Sequence, residues 1–266
     1  MRAMISMYDM PERRPAIEVW WAGLARHWQA AGLRDVPQTT RMTDGDLYEL
    51  WQAPDLFIAQ TCGYPLTHRL KDRVTLVATP VYTVDGCAGG SYHSVILARQ
   101  DSDVRSVDDV SGKVAAFNGY DSQSGWNALR HSLIGKGAPA RILETGGHRK
   151  SVAAVREGRA DVAAIDCVTY AGLRQLAPQE VASLRIIARS ASAPALPFVT
   201  RRDVTPSDLE KLRAGLRAAM ADPALAETRA AMLLSGLEVV PLQAYDRLLE
   251  MEREADRAGS LVVDHS

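Results

Sequence analysis

Three short segments place hydroxyls, glycines and an imidazole where an apolar run gives way to an amphipathic one. The first is NGYDSQSG at 118–125, which follows the apolar stretch KVAAFN at 113–118. Asp121, Ser122 and Ser124 fall where the first N–H groups of a helix lack intrahelical acceptors. Gly125 permits close approach of the backbone. Unpaired N–H groups and the helix dipole both favour negative charge at such a point. The chemistry suggested is capture of a small oxyanion. An ordinary N-cap with spare serines would read the same way.

The second segment joins DLFIAQ at 55–60 to TCGYP at 61–65 and puts Gln60, Thr61 and Tyr64 at a strand end. It is either part of the same kind of site or a tight βα turn. The third is Thr145-Gly146-Gly147-His148. A neutral imidazole at a helix start can donate one N–H to an oxyanion. A lone structural histidine is the competing reading. Three such turns in one chain strengthen one another.

Catalytic signatures are absent. HExxH, GxSxG and GxGxxG do not occur, and GCAGG at 86–90 lacks the lysine and spacing of a phosphate-binding loop. Asp161 and Asp166 have odd spacing on one strand and point to opposite faces, so they form no carboxylate pair. Nothing brings Cys62 to His148. Cys62, Cys87 and Cys167 fit no zinc pattern, so no metal and no cofactor is expected. They read as small buried thiols, or as one Cys62–Cys87 bridge if the protein is exported.

Charge narrows the partners. Lys plus Arg total 31 and Asp plus Glu total 32, a net charge of -1. That balance leaves no footprint for nucleic acid or an anionic membrane. No apolar run approaches the roughly 18 residues of a membrane span, so no membrane insertion is expected. The opening MRAMISMYDM lacks the apolar core of a secretory signal and reads as a strand at 3–8. The chain is expected in the cytoplasm if it is complete as written, and in the periplasm if a signal precedes it.

The elements that must hold these turns alternate between strand and helix. The spacing of Ile17, Trp20, Trp21, Leu24 and Trp28 predicts a helix over 14–31 with an aromatic core face. Strands are expected at 55–60, 74–79, 92–99, 113–118, 142–145, 160–166 and 184–188. Helices are expected at 44–51, 124–135, 150–157 and 169–176. APALP at 193–197 reads as a crossing segment, followed by helices at 206–220, 223–234 and 241–258. This is an α/β chain with too many strands for one sheet. Two Rossmann-like lobes with mixed, mostly parallel sheets and a two-crossing hinge fit it. Residues 1–89 with 195–266 would form the first lobe and 90–194 the second, with the ligand in the cleft.

QTCGYPL at 60–66, YHS at 92–94, SQSG at 122–125, GGH at 146–148 and GRADVAAID at 158–166 occur in that order. With them the chain resembles the phosphate/phosphite/phosphonate-binding receptors of ABC importers, a branch of the type II periplasmic binding proteins, over residues 4–240. The resemblance implies that Ser122, Gln123, Ser124 and His148 grip the oxyanion. Gln60, Thr61 and Tyr64 would face them, with Tyr8 as a further contact. An ABC permease is the implied partner. Relatives that bind aminoalkylphosphonates carry acids around DCV and PALP, where this chain has Val168 and Leu196. A ligand without a cation fits better. Asp166 would bind a hydroxyl or amine, or cap a helix. The alternatives are a cytoplasmic enzyme on the same fold, such as a chorismate-dehydratase-like lyase, and a cytoplasmic ligand sensor.

Overall fold

A computed structural model describes residues 1–5, 7–40 and 45–261. The start of the helix expected from position 44 lies outside them. Twelve strands occur among the described residues: β1 (Arg2–Met4), β2 (Leu56–Gln60), β3 (Val74–Tyr82), β4 (Ser91–Tyr92), β5 (Ser94–Arg99), β6 (Val114–Phe117), β7 (Arg141–Glu144), β8 (Val162–Asp166), β9 (Leu184–Arg189), β10 (Ala193–Pro194), β11 (Phe198–Arg201) and β12 (Leu234–Glu238). The chain divides into two compact units. One comprises Met1–Thr83, Cys87–Ser91 and Pro194–Ala244; the other comprises Val84–Gly86, Tyr92–Ala193 and Tyr245–Ser266. β4 and β10 form a separate two-stranded ladder, and the unit boundary falls within both strands.

In the first unit the sheet order is β1-β2-β11-β3-β12. β1 and β2 run parallel, whereas β11 and β12 enter antiparallel. The helix Arg14–Ala30 buries Ile17, Trp20, Trp21, Leu24 and Trp28, so its aromatic stripe is a core face. Trp28 packs edge-on to Trp21 and Phe57 and donates from Nε1 to the Leu212 carbonyl at 2.9 Å. Leu212 belongs to the helix Pro206–Ala221. Gly215 of that helix must be glycine, because a Cβ there would lie 2.1 Å from the Trp28 ring.

The second unit has the order β7-β6-β8-β5-β9. β6 runs parallel to β7 and β8, and β5 is antiparallel to β8 and β9. Ile96, Phe117, Trp126, Leu129 and Val162 form its core. Both sheets are therefore mixed, with more antiparallel pairs than the βαβ rhythm implies. β5 and β11, the strands that follow the crossing segments, enter their sheets reversed.

Two readings of the C-terminal third are corrected. The helix expected at 223–234 is a 3-10 turn, Pro223–Leu225, and a short helix, Ala226–Ala231. Leu233 has φ 58°, in the left-handed region that ends a helix, and β12 follows as a partner of β3. The final helix, Asp246–Arg257, was assigned with residues 195–266 to the first lobe, but it packs within the second unit. It buries Leu248, Met251 and Ala255. Asn127 donates to the Leu248 carbonyl at 3.0 Å, His131 pairs with Glu254 at 2.7 Å, and Arg130 pairs with Asp256. These polar contacts join residues more than a hundred positions apart, which local periodicity does not reveal.

Candidate functional site

In the second unit β6 ends at Phe117 and the serine turn follows. Ser122 is the N-cap, with extended backbone, and its Oγ accepts from the Gly125 N–H at 3.0 Å. The Ser122 carbonyl accepts from the N–H groups of Trp126 and Asn127. The first helical turn, Gln123–Asn127, is wound as a π-helix and continues as Ala128–Ser132. A Cβ on Gly125 would lie 1.7 Å from Asn118 Oδ1 and 3.1 Å from the Asn118 main-chain nitrogen. Only glycine lets the turn close onto the end of β6.

Two more segments meet this turn. Ser94, the first residue of β5, donates from Oγ to the Ser124 carbonyl at 2.8 Å. Ser124 Oγ lies 2.8 Å from His148 Nε2. His148 opens the helix His148–Arg156 after Gly146, whose φ is 77°. Thr145 ties the loop together through Oγ1, which is within hydrogen-bond reach of the Phe117 carbonyl (3.0 Å), the Gly147 carbonyl (3.1 Å) and Ser151 Oγ (2.7 Å). Burial pushes the His148 pKa down to about 4, against a smaller opposing effect from the Ala164 backbone. The ring is therefore neutral at pH 7. It supplies one N–H and one acceptor, and adds no positive charge. The N–H groups of Gln123 and Ser124 lie in the first helical turn, where no preceding carbonyl of the helix reaches them. The arrangement can donate several hydrogen bonds to an oxyanion without a cation.

Gln123 and Asp166 are otherwise engaged. The Gln123 amide turns inward, accepting from Asn127 Nδ2 at 2.7 Å and lying 3.6 Å from Met251 Sδ. Any contact it makes with a ligand must come from its main chain. Asp166 caps the helix Cys167–Leu176, with Oδ1 accepting from the N–H groups of Val168 (2.7 Å) and Thr169 (3.1 Å). This is the helix-cap reading of that residue.

In the first unit the expected residues gather at the end of β2 but serve different ends. Gln60 is 1% exposed, and its amide links three elements. Oε1 accepts from the Met7 N–H at 2.9 Å, and Nε2 donates to Tyr82 Oη (3.0 Å) and the Leu196 carbonyl (3.1 Å). Thr61 is buried, donating from its N–H to the Pro197 carbonyl and from Oγ1 to the Cys62 carbonyl. Tyr64 is partly exposed and stacks on His68 at 3.9 Å. Tyr8 packs edge-on to Tyr82, with ring centroids 5.3 Å apart.

Sequence reasoning gave no role to Ser94, Tyr82 or Arg13 around these turns, and placed Thr145 in the third turn without its part as a tie. Ser94 lies in the YHS segment, but no local signal marks it as a prop. Arg13 stands beside Arg14 in the polar stretch PERR, yet it is 2% exposed. All three cysteines are thiols, so the Cys62–Cys87 bridge is not formed. Among the described residues no cluster of three His, Cys, Asp or Glu side chains could hold a metal. No helix there is long and apolar enough to cross a membrane.

Two α/β units with mixed five-stranded sheets, threaded by a chain that leaves the first and returns to it, are the architecture of the type II periplasmic binding proteins. Solved structures share the fold. A binding protein component of an ABC phosphonate transporter from Pseudomonas aeruginosa superposes with TM-score 0.77 at 18% identity, covering 97% of this chain and 87% of that one. PhnD1 from Prochlorococcus marinus, in complex with methylphosphonate, gives 0.72 at 13% identity over 96% and 98%. A Xanthomonas citri protein bound to chloride ion gives 0.72 at 16% identity over 98% and 99%. Among curated proteins, a transferrin from Blaberus discoidalis is 28% identical over 106 residues, which is 40% of this chain and only 13% of the transferrin. The family described as ABC transporter, phosphonate, periplasmic substrate-binding protein matches residues 52–245, and the chain belongs to it. That is a family of substrate-binding proteins, not of enzymes.

Proposed function

We propose that this protein captures a small phosphorus oxyanion in the periplasm and delivers it to the permease of an ABC importer. The observation that carries the reading is the 2.8 Å contact between Ser124 Oγ and His148 Nε2 at a helix start closed by Gly125. Ser122, Ser124, His148 and the main-chain N–H of Gln123 form the oxyanion grip. Tyr8 and Tyr64 of the first unit are proposed as further ligand contacts, with Gln60 and Thr61 shaping the end of β2 beside them. Asp166 acts through the helix it caps. Methylphosphonate, the ligand of the Prochlorococcus marinus relative, has the right chemistry: an oxyanion and no cation. Val168 and Leu196 are both buried and apolar, which supports a ligand without an ammonium group.

The test is calorimetric titration with phosphate, phosphite, methylphosphonate, 2-aminoethylphosphonate and sulfate. A phosphorus oxyanion without an amine is expected to bind best. Ser124→Ala should weaken that binding by about 1–3 kcal/mol, the cost of leaving a charged acceptor short of one donor. Unchanged affinity in Ser124→Ala would remove this turn from the site. Preference for the amine-bearing ligand would overturn the assignment of the ligand class.

A further inference from the structure

Arg13 is an anomalous charge among the described residues. It is 2% exposed, and among the described residues neither Nε nor Nη2 has a hydrogen-bond partner. Trp20 is equally buried, and its Nε1 also lacks an acceptor. Both residues line one small cavity in the first unit, together with Tyr8, Gln60, Tyr82 and Phe198. No described residue lining that cavity is acidic. A guanidinium stays charged at neutral pH, and burying one without a counter-charge is strongly unfavourable. Three donor nitrogens without partners among the described residues, on two residues that line one cavity with no described carboxylate, are the inverse of a cation site. Gln60 does not relieve them: its Oε1 accepts from the Met7 N–H and makes no hydrogen bond to Arg13 or Trp20. The cavity volume is about 10 Å³, room for roughly one water-sized particle.

We propose that Arg13 and Trp20 form a second anion site, in the first unit, for a single small monovalent anion: a halide ion, or one carboxylate oxygen of an organic acid. Arg13 supplies the charge and two donors, and Trp20 supplies the third. The cavity is lined by Tyr8 and Gln60 but by no residue of the serine-turn grip, which belongs to the second unit. The proposed site stands or falls independently of that grip.

The test uses the full chain. Melting temperature is followed in sodium chloride, sodium bromide and, at equal ionic strength, sodium gluconate, whose carboxylate carries a hydroxylated five-carbon chain too bulky to bring an oxygen to Arg13. Crystals grown in bromide are examined for anomalous density beside Arg13 and Trp20. A saturable rise in melting temperature with halide, and a bromide peak at that position, are expected. Trp20→Phe keeps a ring and removes the donor, so it should raise the half-saturating halide concentration by roughly threefold to tenfold. Arg13→Met should abolish the halide response. It should also melt no lower than the wild type in gluconate, because the uncompensated charge is gone. Ser124→Ala should leave the halide response intact, which separates this site from the oxyanion grip. If halide has no effect but acetate stabilises the wild type over gluconate and not Arg13→Met, the occupant is a carboxylate oxygen. If neither halide nor acetate acts through Arg13, and no bromide peak forms, the proposal is overturned.

Discussion

Ser124 and His148 are 24 positions apart, yet Ser124 Oγ and His148 Nε2 meet at 2.8 Å. The contact joins two strand–turn–helix junctions of one sheet, because β6 leads into the serine turn and its parallel neighbour β7 leads into the GGH turn. Parallel neighbours bring their carboxyl ends to the same edge, so the turns that follow them converge.

His148 should make stability pH-dependent in a defined window. Its pKa falls from an ordinary 6.5 to about 4 on folding, so the unfolded chain binds the extra proton first. Stability from this group is complete above about pH 6.5 and is lost as pH falls towards 4, by at most about 3 kcal/mol. Urea denaturation from pH 7.5 to 4 would measure the slope. His148→Gln should flatten it. An equal slope in both proteins would mean that this ring does not titrate as its burial requires.

Gly125→Ala should destabilise the second unit by about 1–3 kcal/mol, because the added methyl meets Asn118. The closest contact is the Asn118 side chain, so Asn118→Ala in the same chain should recover part of that loss. Thermal melts of the two single variants and the double variant would show the non-additivity. Strict additivity would place the strain elsewhere.

Gln60→Leu removes an amide that serves Met7, Tyr82 and Leu196 at once. The part-buried Met7 N–H and the buried Leu196 carbonyl each lose a partner, so a loss of about 2–4 kcal/mol is expected. Methylphosphonate affinity per folded molecule should change less than fivefold. Normal stability with lost affinity would make Gln60 a direct ligand contact instead.

Met251→Ala should open a cavity under the serine turn, where the Met251 sulfur lies 3.6 Å from Gln123 Nε2. The expected cost is about 2–5 kcal/mol. Hydrogen exchange should quicken at 122–127 and stay unchanged in β1, β2 and β3. Slow exchange at the turn would mean that the final helix does not support it.

Most strands and helices were legible because their signals are local. Apolar runs, caps and glycines marked β2, β6 and β8 and the helix Arg14–Ala30 to within a few residues. β12 was not, because LSGLE has no strand pattern of its own. It extends only because β3 offers an edge to pair with. The final helix was recognised as a helix but assigned to the wrong unit, since its apolar stripe says that it is buried and not against what. Gln60 and Asp166 were found at strand ends, Gln60 as a ligand contact and Asp166 as a ligand contact or a helix cap. Their hydrogen bonds run to Met7, Tyr82 and Leu196, and to the first turn of a helix, and the first of these sets is set by folding.

By itself, then, the sequence determined the turn chemistry: serines and a glycine at one helix start, a histidine at another. These depend only on neighbours in the chain, as caps and backbone dihedrals do. The tertiary structure alone decided that Ser124 reaches His148, that Gln123 turns inward, and that Arg13 is buried on a cavity whose described lining holds no carboxylate. Those outcomes depend on which distant side chains share a volume, and burial in that volume lowers the pKa of His148 and strips Arg13 of water.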